Sequence, residues 1–246
     1  MQNFEILVVN DAGSDVEAVV SPRNRSRKII YVRHGQNRGL AAARNTGIKV
    51  ARGRYIAYLD DDDLYYPDHL QTLVHCLEKH DCAVAYTDAN RAHQVRQDEK
   101  LVVTHRDLPF SVDFNHDRIL VGNFIPVLCV MHGRKCLDDV GLFDESLTTH
   151  EDWDLWIRLS RKYRFAHVRK TTCEFSWRTD GSSMTSQKQQ DFLRTIEIIY
   201  GKTGVLAKGK PAVVEARSQY LLEKKRLILG MSSPDNSEGR ASVSVV

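Results

Sequence analysis

Three apolar, β-branched runs break off at Gly-, Asn- or Asp-rich turns within the first 63 residues, and no other feature narrows the fold as far. Glu5-Ile-Leu-Val-Val-Asn10 stops at Asp11-Ala-Gly-Ser-Asp15, and Lys28-Ile-Ile-Tyr-Val-Arg33 stops at His34-Gly-Gln-Asn-Arg-Gly39. Arg54-Tyr-Ile-Ala-Tyr-Leu59 runs straight into Asp60-Asp-Asp-Asp63. Continuous apolar runs with such ends read as buried parallel strands. Residues 40–51 are rich in helix formers and are stopped by Arg52-Gly53. Pro67 opens a second helix over 68–79, and residues 83–87 form a fourth strand. Strands alternating with helices predict an α/β fold with a Rossmann-like, mostly parallel sheet flanked by helices. Ligands of such sheets bind beyond the carboxyl ends of the strands, where Asp11 and the 60–63 run fall.

Further along, residues 89–117 are polar with little periodicity, and ordered core returns at Gly122-Asn-Phe-Ile-Pro126. A helix is expected over 151–163, with Trp153, Trp156, Ile157 and Ser160 on one stripe. Residues 211–229 read as an amphipathic helix, and the tail beyond Gly230 is too poor in apolar residues to build core. The expected organisation is one domain over 1–204, followed by a C-terminal helix and tail over 205–246. A net charge of +3 lacks the localised basic surplus of a dedicated nucleic-acid binder. No apolar run approaches the ~20 residues of a membrane helix. No basic leader segment is visible, and the five cysteines form no C-x-x-C pair. A cytoplasmic location is expected.

Four consecutive aspartates at a strand end are the sharpest chemical signal. Neighbouring carboxylates repel, and a hard divalent cation resolves the conflict while bridging to phosphates. The plainer reading is a solvated acidic loop that caps the next helix. The second signal is His150-Glu-Asp-Trp-Asp-Leu-Trp156. Asp152 stands at a helix start, where the dipole favours its ionised form, as a general base requires. Its plainer reading is a capping box with Thr149, with both tryptophans in the core. Asn10-Asp11, Arg44 and Asn45 are candidates to line a nucleotide crevice, as are Trp177-Arg178 and Gly181-Ser-Ser183 to touch phosphates; turns and solvated side chains are the alternatives. No zinc spacing occurs among the ten histidines, and there is no G-x-x-x-x-G-K-[ST] loop.

Four blocks in order resemble family 2 glycosyltransferases of the GT-A fold. They are Ile6-Leu-Val-Val-Asn-Asp-Ala-Gly-Ser-Asp15, Asn37-Arg-Gly-Leu-Ala-Ala-Ala-Arg-Asn-Thr-Gly47, Gly53-Arg-Tyr-Ile-Ala-Tyr-Leu-Asp-Asp-Asp-Asp63 and Glu151-Asp-Trp-Asp-Leu-Trp156. The resemblance implies an inverting, hexosyltransferase-type enzyme that moves a sugar from a nucleotide-diphosphate donor to an acceptor hydroxyl. It implies Mn2+ or Mg2+ on the diphosphate, held by Asp62 with Asp60. Asp60 and Asp61 are then positioned for metal, water or ribose contacts, Asp11 for the base, and Arg44 for the same crevice. Asp152 becomes the base that deprotonates the acceptor. Phe175-Ser-Trp-Arg178 replaces the Gln-x-x-Arg-Trp of processive members, so a non-processive enzyme is implied.

The resemblance also implies an N-terminally truncated sheet. Family members open with a strand ending in Pro-x-Tyr-Asn and a helix, about thirty residues ahead of the point where this sequence starts. The position left open beside the first strand invites a partner or self-association. That gap motivates an alternative from another class, a non-catalytic nucleotide-binding or interaction remnant. A sugar nucleotidyltransferase is a further alternative, disfavoured because no Gly-rich triphosphate loop stands near the first strand. The acceptor, whether saccharide, lipid-linked or protein, is expected to be chosen by residues 89–125. Lys208, Lys210, Lys224, Lys225 and Arg226 suit either an anionic membrane surface or a solvated helix face.

Overall fold

The computed structural model describes residues 3–23, 28–98, 100–178, 180 and 188–229. The tail beyond Gly230 and the Gly181-Ser-Ser183 segment lie outside the described residues. Strands β1 (Ile6–Asn10) and β2 (Ile29–Arg33) pair in parallel, joined through the short helix α1 (Glu17–Val20). Helix α2 (Leu40–Val50) packs on β1 and leads to β3 (Tyr55–Ala57), β4 (Leu64–Tyr65) and α3 (His69–Lys79). Then follow β5 (Val84–Gln97), β6 (Lys100–Asp107), β7 (Val130–Gly133), α4 (Cys136–Val140), α5 (Glu151–Ser160) and β8 (Phe165–Trp177). Helices α6 (Gln189–Lys202), α7 (Gly204–Ala207) and α8 (Pro211–Leu229) complete the chain.

The fold is α/β, but the large sheet is mixed where the alternation predicts mostly parallel pairing. Its order is β3-β7-β5-β8-β4, with β6 on β5. Only β1–β2 and β5–β8 are parallel; β3–β7, β5–β7, β5–β6 and β4–β8 are antiparallel. The cause lies in the connections. Alternating helices enforce parallel crossovers only as far as α3, after which strands arrive through a hairpin and irregular segments that need no crossover. The expected fourth strand also continues ten residues past Thr87, to Gln97, and turns at Asp98 (φ 45°) into β6. Its inner half is buried, with Val84, Ala85 and Ala92 at 0% exposure, whereas β6 is mostly exposed.

Helix α5 is buried almost all round, which explains an apolar pattern wider than a single stripe. Both indole N–H groups find carbonyl acceptors: Trp153 Nε1 donates to Ile119 O at 2.6 Å and Trp156 Nε1 to Ile125 O at 3.1 Å. These bonds fasten α5 to the segment that carries Asn123. Trp153→Ala is expected to lower stability by about 3–5 kcal/mol, measured by urea unfolding. A loss below about 1 kcal/mol would remove α5 from the structural centre.

Strand β1 behaves differently. Its apolar composition suits burial on both faces, yet none of its residues is buried and Ile6 is 43% exposed. Among the described strands β1 pairs only with β2, and β3 only with β7. The starts of β1 and β3 are tied by Glu5, whose Oε1 accepts from Arg52 N at 2.7 Å and Gly53 N at 2.8 Å. At the other end of the chain, α8 is seated on the body by buried Arg217, which donates to Leu120 O and Thr203 Oγ1, both at 2.7 Å. Of the basic residues near it, Lys210 pairs with Asp117, Lys225 with Glu197, and Lys224 lies over the Tyr220 ring.

Candidate functional site

The site gathers at the ends of β1 and β3 and at the first turn of α5. Asp11 follows β1, and the next residue, Ala12, takes a left-handed φ of 63°. The Asp11 carboxylate accepts from Arg38 N at 2.9 Å, Gly39 N at 2.7 Å and the His34 imidazole at 2.6 Å. Partial burial raises its pKa, but these bonds outweigh that and hold Asp11 below the usual carboxylate range. Asp11 thus fixes the Gly/Asn loop that starts α2. Asn10 closes its own turn, accepting from Gly13 N at 2.7 Å.

Arg44 is the centre of the arrangement. Its side chain is only 8% exposed. One terminal nitrogen donates to both Asp60 oxygens, at 2.9 and 3.0 Å, and the other pairs with Glu151. A buried guanidinium is tolerated only when paired. Burial works against its charge, but Asp60, Glu151 and Asp152 together hold the guanidinium firmly protonated. Arg44 joins the aspartate run to the Glu-Asp pair through these two partners.

The aspartates of the run have separate environments. Asp60 is held by Arg44, while Asp61 is exposed. Asp62 Oδ2 accepts from Arg178, and Asp63 Oδ1 accepts from Ser176 N at 3.1 Å. Burial, with Asp60 and Asp62 nearby, pushes the Asp63 carboxyl up to about 7 against the Ser176 bond. Burial also raises Asp62, helped by Asp61 and Asp60 and opposed by Arg178.

In the first turn of α5, Asp152 is partly buried. Its Oδ1 accepts from Trp153 N at 2.7 Å and its Oδ2 from Asn123 Nδ2 at 2.9 Å. Burial, then the neighbouring Glu151, pushes it up to about 7, against Arg44 and the two hydrogen bonds. That value suits a proton acceptor working near neutrality. The capping box with Thr149 is not formed: the helix is preceded by His150 in the left-handed region at φ 56°, with no side-chain cap, and Thr149 bonds Thr195 instead. Two of the three non-glycine left-handed residues, Ala12 and His150, therefore adjoin site carboxylates. Such conformations cost about 1–3 kcal/mol and persist where the surroundings over-determine them.

Sequence reasoning missed Asn123, which orients Asp152, and Glu151, which completes the Arg44 pairing. It also missed Ser176, which fastens the run to β8. Asn123 left a faint signal as a lone amide opening an apolar segment; Glu151 stood in the 150–156 block as a first-turn residue with no partner indicated, and Ser176 left no signal.

The donor set is hard oxygen, the chemistry that Mg2+ and Mn2+ prefer. Among the described residues no ready-made group of three or more metal-binding side chains exists. Mg2+ bound with nucleotides is commonly held by one or two carboxylates and completed by phosphate oxygens.

The mixed α/β fold is the GT-A type, the fold of the similar solved structures given below. The model of Glycosyl transferase family 2 matches residues 1–132, and the chain belongs to that family. A glycosyltransferase of Rickettsia conorii, RC0461, uncharacterised, is 29% identical over 178 residues, 69% of this chain and 27% of its own length. The chain thus spans about a quarter of that relative. The uncharacterised glycosyltransferase YwdF of Bacillus subtilis is 26% identical over 80% of this chain and 74% of its own. Among solved structures, S. aureus TarS 1-349 in complex with UDP-GlcNAc superposes with a TM-score of 0.63 at 16% identity, over 91% of this chain and 64% of that one. The mannosyltransferase PcManGT of Pyrobaculum calidifontis, in complex with GDP-Man and Mn2+, gives 0.59 at 16% identity over 92% and 65%. No described helix is long and apolar enough to cross a membrane.

Proposed function

We propose that the chain transfers a sugar from a nucleotide-diphosphate donor to an acceptor hydroxyl, with inversion, without processivity and with help from Mn2+ or Mg2+. The observation that supports this reading most is the buried Arg44 bridge between Asp60 of the 60–63 run and Glu151, the chain neighbour of Asp152. Asp62 and Asp60 would hold the metal; Asp60 keeps a second lone pair on each oxygen after its bonds to Arg44. When bound, the cation supplies charge neutralisation for the departing diphosphate. Asp11 and its loop face the base, and Asp61 the ribose or a bound water. Asp152, ionised and oriented by Asn123, takes the acceptor hydroxyl proton as that oxygen attacks the anomeric carbon and the bond to the diphosphate breaks on the opposite face. The nucleotide sugars in the solved structures of similar fold support the donor class.

Asp62→Ala is expected to abolish Mn2+-dependent nucleotide binding, measured by calorimetry with UDP and GDP. Unchanged Mn2+ dependence would remove Asp62 from the metal site. The unburied β1 favours a second reading, a non-catalytic interaction module that engages a partner or a second copy along the edges of β1 and β3. Wild-type protein that binds no nucleotide with Mn2+ in the same calorimetry would favour that reading over the enzyme. We place the protein in the cytoplasm. Lys208 and Arg226 remain the basic residues of the C-terminal face suited to an anionic surface.

A further inference from the structure

Asp62 already has a cation. Its Oδ2 accepts from Arg178 Nη2 at 2.5 Å, with side-chain exposures of 41% for Asp62 and 15% for Arg178. The same strand end touches the acidic run twice more: Ser176 Oγ donates to the Asp62 carbonyl oxygen at 2.5 Å, and Ser176 N to Asp63 Oδ1 at 3.1 Å. The Ser176 bonds fasten the loop to β8 without help from a charge. The Arg178 pair adds something else, a positive charge on an exposed carboxylate assigned above to the metal.

We propose that Arg178 is the resident counter-ion of this site, a positioning residue that makes metal binding conditional on the nucleotide. The inference rests on the metal reading above. A guanidinium and a divalent cation compete for one carboxylate, and each repels the other at that range. Metal alone must therefore displace Arg178 into water. A nucleoside diphosphate changes the balance, because its oxygens accept from a displaced guanidinium in a bidentate manner while also ligating the metal. Metal and nucleotide then bind with positive coupling, and the coupling is reciprocal.

The test is Mn2+ binding followed by the loss of the free-ion paramagnetic resonance signal, alone and with UDP or GDP, for wild type, Arg178→Gln and Arg178→Lys. In the wild type, nucleotide is expected to tighten Mn2+ binding at least about tenfold. Arg178→Gln is expected to bind Mn2+ alone about tenfold tighter than wild type and to lose most of the gain from nucleotide, while Arg178→Lys, which keeps the charge but not the fork, keeps the weak binding of Mn2+ alone and only part of the gain. Arg178→Gln that binds Mn2+ alone no tighter than wild type, with nucleotide-dependent binding intact in both, overturns the counter-ion role and leaves the metal reading standing. Wild type that binds Mn2+ equally with and without nucleotide overturns it without recourse to any variant. Wild type that binds no Mn2+ under either condition overturns the metal reading, and this inference with it.

Discussion

Asp152→Asn is expected to lower sugar transfer by about 10²- to 10⁴-fold while leaving donor affinity unchanged. The substitution keeps the shape and one acceptor oxygen but removes the basic lone pair that receives the acceptor proton. Wild-type activity should rise with pH through about 7, the value to which burial and Glu151 push this carboxyl. The same shift has a stability consequence of opposite sign. A carboxyl raised from its usual 3.8 favours folding in its protonated form; that contribution is complete below 3.8 and is lost as pH rises through about 7. Asp152→Asn should therefore gain stability relative to wild type as pH climbs from about 5 to about 8. The pairing of lost activity with gained relative stability is the pattern of a residue retained for chemistry. Denaturant midpoints at both pH values, beside initial rates, read both effects. Full activity in the variant, or a stability difference independent of pH, would remove Asp152 from the base position.

Arg44→Met carries the second large effect. Removing one partner of a buried ion pair leaves Glu151 and Asp60 uncompensated, and the expected loss is about 3–5 kcal/mol. The partners' own charges cause that cost, so adding Glu151→Gln to Arg44→Met should recover part of it, a coupling that a double-mutant cycle measures. Arg44 also helps keep Asp152 ionised, so any activity that survives in Arg44→Met should have its acid limb at higher pH than wild type. Arg44→Lys is not a neutral control, because an ammonium has one nitrogen and cannot serve Asp60 and Glu151 from two separate nitrogens as the guanidinium does. A loss below about 1 kcal/mol with an unmoved pH profile would contradict the bridge.

The contrast between what the sequence showed and what it hid follows the range of the forces involved. Strands β1 and β2 and helix α2 were legible nearly to their ends, because local periodicity and turn chemistry define them. The outer part of β5 and the whole of β6 were not. That hairpin is largely exposed, so no alternation of apolar and polar residues marks it. The antiparallel pairings were hidden for a related reason, since connection type and not strand composition decides direction. At the site, the carboxylates were visible because four in a row is rare. The role of Arg44 was not, because its partners Asp60 and Glu151 lie 16 and 107 positions away and no neighbour on its own helix foretells its burial. Thr149 was a reasonable cap on sequence alone; the left-handed His150 displaced it, and only tertiary packing holds that residue there.

The most direct test of the account is the anomeric outcome of donor turnover. With Mn2+ present and water as the acceptor, wild-type protein should slowly release sugar from the α-linked donors UDP-GlcNAc or GDP-mannose. Proton magnetic resonance during the first turnovers reports the anomer before it equilibrates. The account predicts the β anomer first, its formation lost in Asp152→Asn and absent when Mn2+ is withheld. Release of the α anomer first, or β-anomer release that persists unchanged in Asp152→Asn, would contradict it.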